Sequence, residues 1–371
     1  MAKEKAVYAH LCSWFRTKEV SGKWEMWNSD YPQNLSNPDV VNFDGTRQIA
    51  ANSYPLTDLY DSTDPDILDY QFSLMKLSGI DGIVVDWDGR RLNAYRHDGL
   101  MKSLPYIEKY NLKLIICYEE WCGYEPPDYY PDRPSQINAA VDELKWLCEN
   151  LIDKSFYGIV NGKKPVLIFR KIPDLWFIAE EYAPLREVAD QHNASLIMPV
   201  WVDNSFIPVS EGDYYWVSGF DEAHRCDDMK HCMKAYDKFL NDCKNSGRQI
   251  FGSVYPGFDD TYVWGWGDLP RIAPRYEAER FKKLWEKSIE QDIDFVQLIT
   301  WNDWNEGSHI EPANTFGYEY LKLNKKYSAQ FKNIEDNIPD DLLTVPLEIY
   351  KKRKLKEDTE DLEKSIFEFI K

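Results

Sequence analysis

Short runs of β-branched and aromatic residues alternate with amphipathic helical patterns along most of the chain. This alternation is typical of βα units that build a parallel sheet. Eight runs read as strands, and they begin at Ala6, Gly82, Leu112, Pro165, Ser195, Tyr214, Gln249 and Asp294. Eight strands with helices between them, within roughly 330 residues, are what a closed (β/α)8 barrel requires. We therefore predict an α/β fold, a single (β/α)8 TIM barrel.

The helical patterns support this prediction. They cover Asp64–Ser78, His97–Tyr110, Gln136–Ile152, Asp228–Asn245 and Tyr276–Gln291. The first helix has Asp64 as a candidate N-cap, Pro65 in its first turn and Gly79 after its end. A doubly wound open sheet is the competing fold, but it usually carries a glycine-rich nucleotide loop after its first strand. Here the first strand runs into Trp14 and Phe15 instead, which favours the barrel.

The chain is predicted to contain a catalytic barrel at residues 1–335 and a C-terminal helical extension at residues 336–371, packed on the barrel. The loop after the first strand, about Phe15–Asp58, is long and rich in aromatic residues. Loops of this length usually serve binding or catalysis. We expect Trp24 or Trp27 to lie in the mouth of the barrel.

The charge, the lengths of the apolar runs and the cysteine content narrow the possible partners, cofactors and location of the protein. The chain of 371 residues has 44 Lys and Arg against 63 Asp and Glu, a formal net charge of −19. Because such a surface repels phosphate backbones, we expect no nucleic-acid partner. No apolar run reaches the length of a membrane span, so we expect no membrane-spanning segment. Seven cysteines without a C-x-x-C pair exclude a complete disulfide framework, and we expect no metal or cofactor. The chain is expected to be periplasmic or secreted if a signal peptide has been removed, and otherwise cytoplasmic.

Carboxylates and indoles recur where the predicted strands end, which is where barrel enzymes place their active sites. An indole can cover the C–H face of a sugar ring while carboxylates accept hydroxyl protons. Loops are polar in general, but that does not explain why Trp recurs beside acids, so the pattern favours sugar recognition. In chain order the polar and aromatic residues at the strand ends are Trp14, Asp86, Trp87, Glu119, Glu120, Trp121, Arg170, Trp201, Asp203, Asp221, Glu222, Tyr255, Asp259, Asp260, Trp301, Asp303, Trp304 and Glu306.

The densest of these segments is TWNDWNEGSHIEP, Thr300–Pro312, after the eighth strand. If the chain turns helically there, the carboxylates of Asp303 and Glu306 face the same way. Two such acids serve glycoside cleavage, because one protonates the leaving oxygen and the other activates water or a sugar hydroxyl. Trp301 and Trp304 would partly desolvate the pair and help to separate the two pKa values. A capping or salt-bridging pair is the structural alternative.

The segment Thr300–Pro312 resembles the final-strand motif of glycoside hydrolase family 71, W-N-D-[Y/F]-G-E-S-H, and that of family 99, N-E-W-H-E-G-T-x-I-E. Asp303 and the TWND start match the first family, whereas EG and IEP match the second. Further similarity lies in Tyr8–Phe15 and Tyr60–Trp87. The chain thus resembles the family 71/99-like (WbsX-like) barrel proteins, and the resemblance implies a (β/α)8 fold along most of its length.

The resemblance also implies roles for single residues. Asp303 and Glu306 fall on the two catalytic carboxylates, with Glu306 as the general acid and Asp303 as the base that acts on water if the enzyme inverts, as in family 71. In family 99 a Glu at position 303 deprotonates the substrate's own 2-hydroxyl, and Asp is one methylene shorter. Asn305 departs from the Gly or His of these families.

Together these features predict a glycoside hydrolase that cleaves an α-linked oligosaccharide or polysaccharide, of the α-glucan or α-mannan type. A WbsX-like glycosyltransferase of polysaccharide biosynthesis is one alternative. It would need basic residues for an activated donor, and Arg170 is the clear candidate. A non-catalytic carbohydrate-binding barrel is the other, and Asp303 with Glu306 counts against it. The predicted substrate-binding residues are His10, Trp14, Asp86, Trp87, Glu120, Trp121, Trp201, Asp203, Tyr255, Trp301 and Trp304.

Overall fold

Eight parallel strands close into a barrel in this computed structural model, which describes residues 5–91, 94–123, 132–170, 177–217 and 228–370. Each strand pairs with its neighbours in chain order, and the last returns to the first through the pair Ala6 and Phe295. The predicted closed (β/α)8 barrel is therefore confirmed. The strands are β1 Ala6–Leu11, β2 Gly82–Trp87, β3 Lys113–Glu119, β4 Lys164–Phe169, β5 Ala194–Pro199, β6 Gly212–Tyr214, β7 Gln249–Val254 and β8 Phe295–Leu298.

Helices surround the barrel, and every predicted helix is present with its ends shifted by three residues or fewer. The Asp64 side chain caps α2 by accepting a hydrogen bond from the Asp66 amide. After β5 the chain forms the 3-10 helix Asn204–Val209 in place of an α-helix. The helices are α1 Lys18–Ser21, α2 Pro65–Leu77, α3 Ala94–Lys109, α4 Arg133–Leu147 with a π-helical turn at Cys148–Ile152, α5 Ala183–Gln191, α6 Met229–Ser246, α7 Glu279–Glu290, α8 Glu319–Lys332, α9 Val345–Lys354 and α10 Glu360–Phe367.

The interior of the barrel is filled by alternate residues of the strands, as the two-residue repeat of a strand requires. Val84 of β2, Cys117 of β3 and Leu167 of β4 belong to this inner cluster. Two residues further along each strand, the same inward direction is taken by Asp86, Glu119 and Phe169. Along β2, β3 and β4 the interior is thus apolar until the C-terminal end, where the carboxylates of Asp86 and Glu119 enter it.

Two connections reach over the C-terminal end of the barrel. The long first loop joins β1 to α2 and contains the short helix α1. After β7, the segments Phe258–Asp259 and Ile272–Ala273 pair as a two-stranded antiparallel ribbon. Between its strands lies a tight turn, Trp264–Gly267.

The C-terminal residues pack on the outside of the barrel against α2. The Arg353 guanidinium of α9 lies 2.7 Å from the Asp69 carboxylate of α2. Phe367 of α10 stacks on Tyr110 with ring centroids 5.9 Å apart. The division of the chain at residue 335 stays a prediction. Within the described ranges, no helix combines the length and apolar character needed to cross a membrane.

Candidate active site

A cleft of about 840 Å³ opens at the C-terminal ends of the strands. Asp86 of β2 and Glu119 of β3 line it, and so do Asp303 and Glu306 from the segment after β8. The volume lies within the range of small-molecule binding sites. The end of the barrel at which enzymes of this fold carry out their chemistry is therefore open and rich in carboxylates.

Hydrogen bonds fix the turn that carries Asp303 and Glu306. The Asp303 amide donates to Thr300 Oγ1 at 2.7 Å, and the Glu306 amide donates to Asp303 Oδ1 at 2.9 Å. An Asp side chain that accepts from an amide further along the chain replaces the helical turn that we expected. The result is the expected one, since both carboxylates reach the same cleft.

Asp303 is 4% exposed. Its burial raises the pKa of the carboxyl, and the negative charges of Glu306 and Asp86 raise it further. The Asp303 carboxyl therefore keeps its proton to a higher pH than an exposed aspartate does. One acid and one base side by side are what glycoside cleavage requires.

Glu306 is half-buried, with a hydrogen-bond donor and a cation beside it. The Trp266 indole Nε1 donates to Glu306 Oε1 at 2.9 Å. The Arg271 guanidinium is also close. Burial alone would lower the pKa of Arg271, but the negative charges of Glu306 and Asp260 raise it. Glu306 thus has a neutral donor and a positive charge beside it, both supplied by the ribbon after β7.

His10 supports Asp86 from inside the barrel. The Gln297 amide nitrogen donates to the Tyr215 carbonyl at 2.6 Å, so Gln297 Oε1 is the acceptor that faces His10 Nε2 at 2.7 Å. His10 Nε2 therefore carries a hydrogen, and Nδ1 lies 3.6 Å from Asp86 Oδ1. His10 is completely buried, which places it behind the substrate contact and not in it.

Five of the residues predicted for the site line the cleft. They are Trp14, Asp86, Trp201, Asp303 and Glu306. Trp201 is 44% exposed, and its Nε1 donates to the Arg170 carbonyl at 3.0 Å. Whether any of them binds substrate stays a prediction.

Other predicted substrate-binding aromatics belong to the core and do not line the cleft. Trp87 is completely buried and stacks on Trp146 at a centroid distance of 6.0 Å. Tyr255 is completely buried, and its hydroxyl lies 3.0 Å from Cys232 Sγ. Because a large apolar ring gains most free energy by leaving water, the layer between strands and helices takes these side chains.

Trp301 and Trp304 lie behind the carboxylate pair, and both are completely buried. Trp304 stacks on His309 with centroids 3.9 Å apart, and its Nε1 donates to the Tyr60 hydroxyl at 3.0 Å. Their indoles hold the shape of the segment, so the predicted sugar contact by these two residues is replaced by a structural role.

Among the predicted acids, Glu120 and Asp203 do not line the cleft. Glu120 is buried between Arg170, whose Nε is 2.9 Å away, and the Tyr182 hydroxyl, and burial raises its pKa to about 7. Asp203 caps the 3-10 helix Asn204–Val209 and accepts from the Ser205 amide at 2.7 Å. Trp121 lies in the 3-10 helix Glu120–Gly123, but its side chain falls outside the described part of the chain. Asp221 and Glu222 lie outside the described residues.

The first loop contributes a different residue from those expected. Trp27 is completely buried beside Trp304, and its Nε1 donates to the Tyr60 carbonyl. Trp24 donates to Asp39 in the outer part of the loop. Neither lines the cleft, whereas Met26 between them does. Our expectation for the two Trp residues was therefore wrong, although the loop does form part of the wall.

The sequence prediction assigns Glu120 to the substrate site, but its neighbour Glu119 is the one that lines the cleft. Trp266 also lines the cleft, and no sequence prediction includes it. The signal for Glu119 was present, because Ile115, Cys117 and Glu119 share one face of β3.

Three arginines also line the cleft, and each faces a buried carboxylate. Arg96 lies 3.0 Å from Asp88, Arg170 lies 2.9 Å from Glu120, and Arg271 lies 2.6 Å from Asp260. These pairs hold the wall of the cleft and largely neutralise the three arginines. Lys238 also lines the cleft, and it faces Asp242 at 2.5 Å. In the described part of the chain, no group of three or more His, Cys, Asp and Glu side chains is arranged to hold a metal ion.

Known proteins can now be compared with this geometry. The family model described as "Glycosyltransferase WbsX" matches residues 170–324, which include Asp303 and Glu306. The "Glycoprotein endo-alpha-1,2-mannosidase-like protein" of Mus musculus is 20% identical over 337 residues, which are 83% of this chain and 69% of the relative. The Homo sapiens protein of the same description is 20% identical over 334 residues, 83% of this chain and 68% of its own.

Among solved structures, the GH99 endo-α-mannosidase of Bacteroides thetaiotaomicron superposes with a TM-score of 0.67 and 18% identity, over 90% of this chain and 99% of that one. A "Glycoside hydrolase-like protein" superposes with a TM-score of 0.60 and 14% identity, over 88% of this chain and 94% of that one. The resemblance to the family 71/99-like (WbsX-like) barrel proteins is confirmed. The chain has the barrel fold of the family 99 glycoside hydrolases, and its carboxylate pair follows the last strand of that barrel.

Proposed function

We propose that this protein is a glycoside hydrolase that cleaves an α-linked glycan of the α-mannan type. The observation that carries the proposal is the pair Asp303 and Glu306, which face one open cleft, with Asp303 buried and Glu306 half-buried. The indoles of Trp201 and Trp266, which line the same cleft, offer flat faces for sugar rings. The likeness to endo-α-mannosidases supports the choice of an α-mannan over an α-glucan.

In the proposed reaction, Glu306 protonates the leaving glycosidic oxygen and Asp303 activates water or a sugar hydroxyl. Burial favours the protonated form of the Asp303 carboxyl, so Asp303 must lose its proton when the substrate binds before it can act as the base. The sugar excludes water from the cleft, and its hydroxyl groups offer Asp303 the donors that an ionised carboxylate needs. Asp86 lines the same cleft, and its charge acts on Asp303. In the proposed reaction it accepts a hydrogen bond from a hydroxyl of the same sugar.

Replacing each carboxylate separately tests these roles. Glu306→Gln removes the acid, so the rate on an α-mannan should fall by about 10²–10⁴-fold, the usual contribution of general acid catalysis. The loss should shrink on an aryl α-mannoside with an activated leaving group, which needs no proton. Asp303→Asn should be slow on both substrates. The matched control is Asp203→Asn, an exposed carboxylate outside the cleft, which should keep wild-type rates.

If Glu306→Gln and Asp303→Asn both retain full activity on a natural glycan, the chemistry lies elsewhere and the proposal fails. For the active protein, the anomer first released, followed by proton NMR, distinguishes inversion from retention. A panel of α- and β-linked oligosaccharides then identifies the sugar and the linkage.

A glycosyltransferase is the second candidate, because the matching family model carries that description. A transferase that uses a nucleotide sugar must bind two phosphates, and cations do this. The arginines of the cleft already face Asp88, Glu120 and Asp260, which favours a neutral glycan over a diphosphate donor. Transfer from a nucleotide-mannose donor, with no release of sugar from α-mannan, would reverse this preference.

A further inference from the structure

The turn Trp264–Gly267 has an unusual backbone. Trp264, Gly265 and Trp266 have φ angles of 46°, 53° and 58°, and Gly267 follows at 99°. The left-handed region is unfavourable for residues with a Cβ, and two tryptophans occupy it here. Such a backbone persists only where its surroundings hold it, and these outliers cluster at functional sites.

Asp260 holds this turn in place. Its side chain is completely buried and accepts from the Arg271 backbone amide at 2.6 Å and from the Arg271 Nε at 2.9 Å. Its carbonyl accepts from the Gly265 amide at 2.9 Å. The Asn34 side chain donates to the Thr261 carbonyl, which ties the turn to the first loop. The turn is therefore anchored at both ends.

The anchored turn presents an indole to the carboxylate pair. Trp266 Nε1 is 2.9 Å from Glu306 Oε1, and both side chains line the cleft. The same ribbon presents Arg271, whose charge also acts on Glu306. Glu306 also interacts with Asp303, which carries the additional negative charge of Asp86 nearby. The same three carboxylates act on the buried Cys12 thiol. Within this set, Trp266 supplies a neutral donor that binds the ionised carboxylate of Glu306 selectively.

We propose that Trp266 is a positioning residue that fixes the orientation of the Glu306 carboxylate and restrains its protonation until substrate occupies the cleft. The inference deepens the proposed function and rests on it. It also explains the strained turn, since an ordinary helical or extended backbone would direct the indole elsewhere. Removing the indole N–H should make Glu306 easier to protonate without changing the shape of the turn.

Trp266→Phe is the direct test, because Phe keeps an aromatic ring and a Cβ but has no N–H. Loss of one hydrogen bond to a carboxylate should move the basic limb of kcat to higher pH by about one unit. The matched control is Trp201→Phe, which also removes an indole N–H from the cleft wall, although its partner is the Arg170 carbonyl. Trp201→Phe should change KM and leave the pH profile where it was.

A second measurement needs no activity. In protein with ¹⁵N-labelled indoles, the Nε1–H resonance that disappears in Trp266→Phe should titrate in the wild type and become insensitive to pH in Glu306→Gln. Coincident pH profiles of Trp266→Phe and Trp201→Phe, or an indole resonance that ignores Glu306→Gln, would overturn the inference. Full activity of both Glu306→Gln and Asp303→Asn would instead defeat the proposed function, while the NMR contact would remain. If Trp266→Phe fails to fold, Trp266→Tyr identifies the resonance in its place, and the comparison of wild type with Glu306→Gln then decides.

Discussion

At the scale of single residues, Glu311 stands out because it is an acid with no exposure to solvent. It is 1% exposed and accepts from the Tyr60 hydroxyl at 2.7 Å, Gln71 Nε2 at 2.9 Å and Trp304 Nε1 at 3.2 Å. Burial nevertheless dominates these donors and raises the pKa of Glu311 to about 7. The segment that carries Asp303 and Glu306 is thus anchored by a group that changes charge near neutral pH.

Stability should depend on the charge of Glu311. A raised pKa means that the folded protein binds this proton more tightly than the unfolded chain, so its contribution is complete below the unfolded pKa and is lost as the pH rises through about 7. The free energy of unfolding should rise by up to about 3 kcal/mol between pH 8 and pH 5 on account of this group. Urea titrations at several pH values measure it, and Glu311→Gln should flatten the dependence.

The control for Glu311 is Glu290→Gln, because Glu290 is an exposed acid on α7 whose removal should not alter the pH dependence. Glu120, whose pKa is also raised to about 7, adds a parallel slope that both variants retain. A Glu311→Gln protein with the wild-type slope would show that Glu311 stays ionised in the fold.

The contrast between Glu119 and Glu120 shows how far the site could be predicted. Both acids were recognised at a strand end, but Glu120 was chosen. The alternation Ile115, Cys117, Glu119 directs Glu119 to the barrel interior, so the period of the strand selects the correct neighbour. No local pattern shows that Arg170 and Tyr182 meet Glu120, because these contacts form only after β3 and β4 pair.

At the scale of elements, the strands were predictable because each is a short apolar run that can be buried on both faces. The weakest is β6, which starts at Gly212 and ends at Tyr214, whereas the aromatic run suggested a strand from Tyr214 onward. Close packing at Gly212, where a Cβ would lie 2.6 Å from the Gln249 carbonyl oxygen, explains why β6 begins with this residue. The aromatic residues after it turn toward the cleft instead.

Asn305 holds the first loop to the segment Thr300–Pro312, which follows β8. Its Nδ2 donates to the Met26 carbonyl at 2.7 Å and to the Ala50 carbonyl at 3.0 Å. Asn305→Ala leaves both carbonyls without this donor, which should cost about 1–3 kcal/mol of stability. Because Met26 lines the cleft, KM should rise, and proteolysis within the first loop should become faster.

Limited proteolysis followed by mass spectrometry locates the cuts in the Asn305→Ala protein. Asn42→Ala is the control, since Asn42 lies in the same loop and its side chain bonds only to the exposed Thr46 hydroxyl in the described structure. Equal rates of cleavage in the two variants would contradict the role assigned to Asn305.

At the scale of the whole molecule, closure of the barrel creates contacts that no segment contains. His10 and Gln297 are 287 positions apart and meet because β1 and β8 pair. Pairing of the same strands brings Asn302 to the Cys12 backbone. Asn302 Oδ1 accepts from the Cys12 amide at 2.8 Å, and Asn302 Nδ2 donates to the Cys12 carbonyl at 3.0 Å. The number of strands predicted the closure, but the partners across the seam depend on register, which the sequence pattern left open.

The C-terminal extension offers a test at the same scale. Tyr350, Ile349, Ile366 and Ile370 are buried, and Tyr350 packs on Tyr70 of α2. Deleting residues 336–371 exposes that face and should lower the free energy of unfolding by on the order of 5 kcal/mol or more.

The deletion also removes Arg353, which lies 2.7 Å from Asp69, a carboxylate only 6% exposed. Arg353→Met separates the loss of this ion pair from the loss of the helices, because it keeps the helices in place. In that variant Asp69 still accepts hydrogen bonds from Lys109 and Tyr110. The variant's loss of stability should be a fraction of the loss caused by the deletion.

The described residues that line the cleft all precede position 336, so kcat per folded molecule should be unchanged in both proteins. Thermal melts and active-site titration measure the two quantities. A folded but inactive deletion would place part of the site in the extension, and an unchanged melting temperature would show that the extension does not stabilise the barrel.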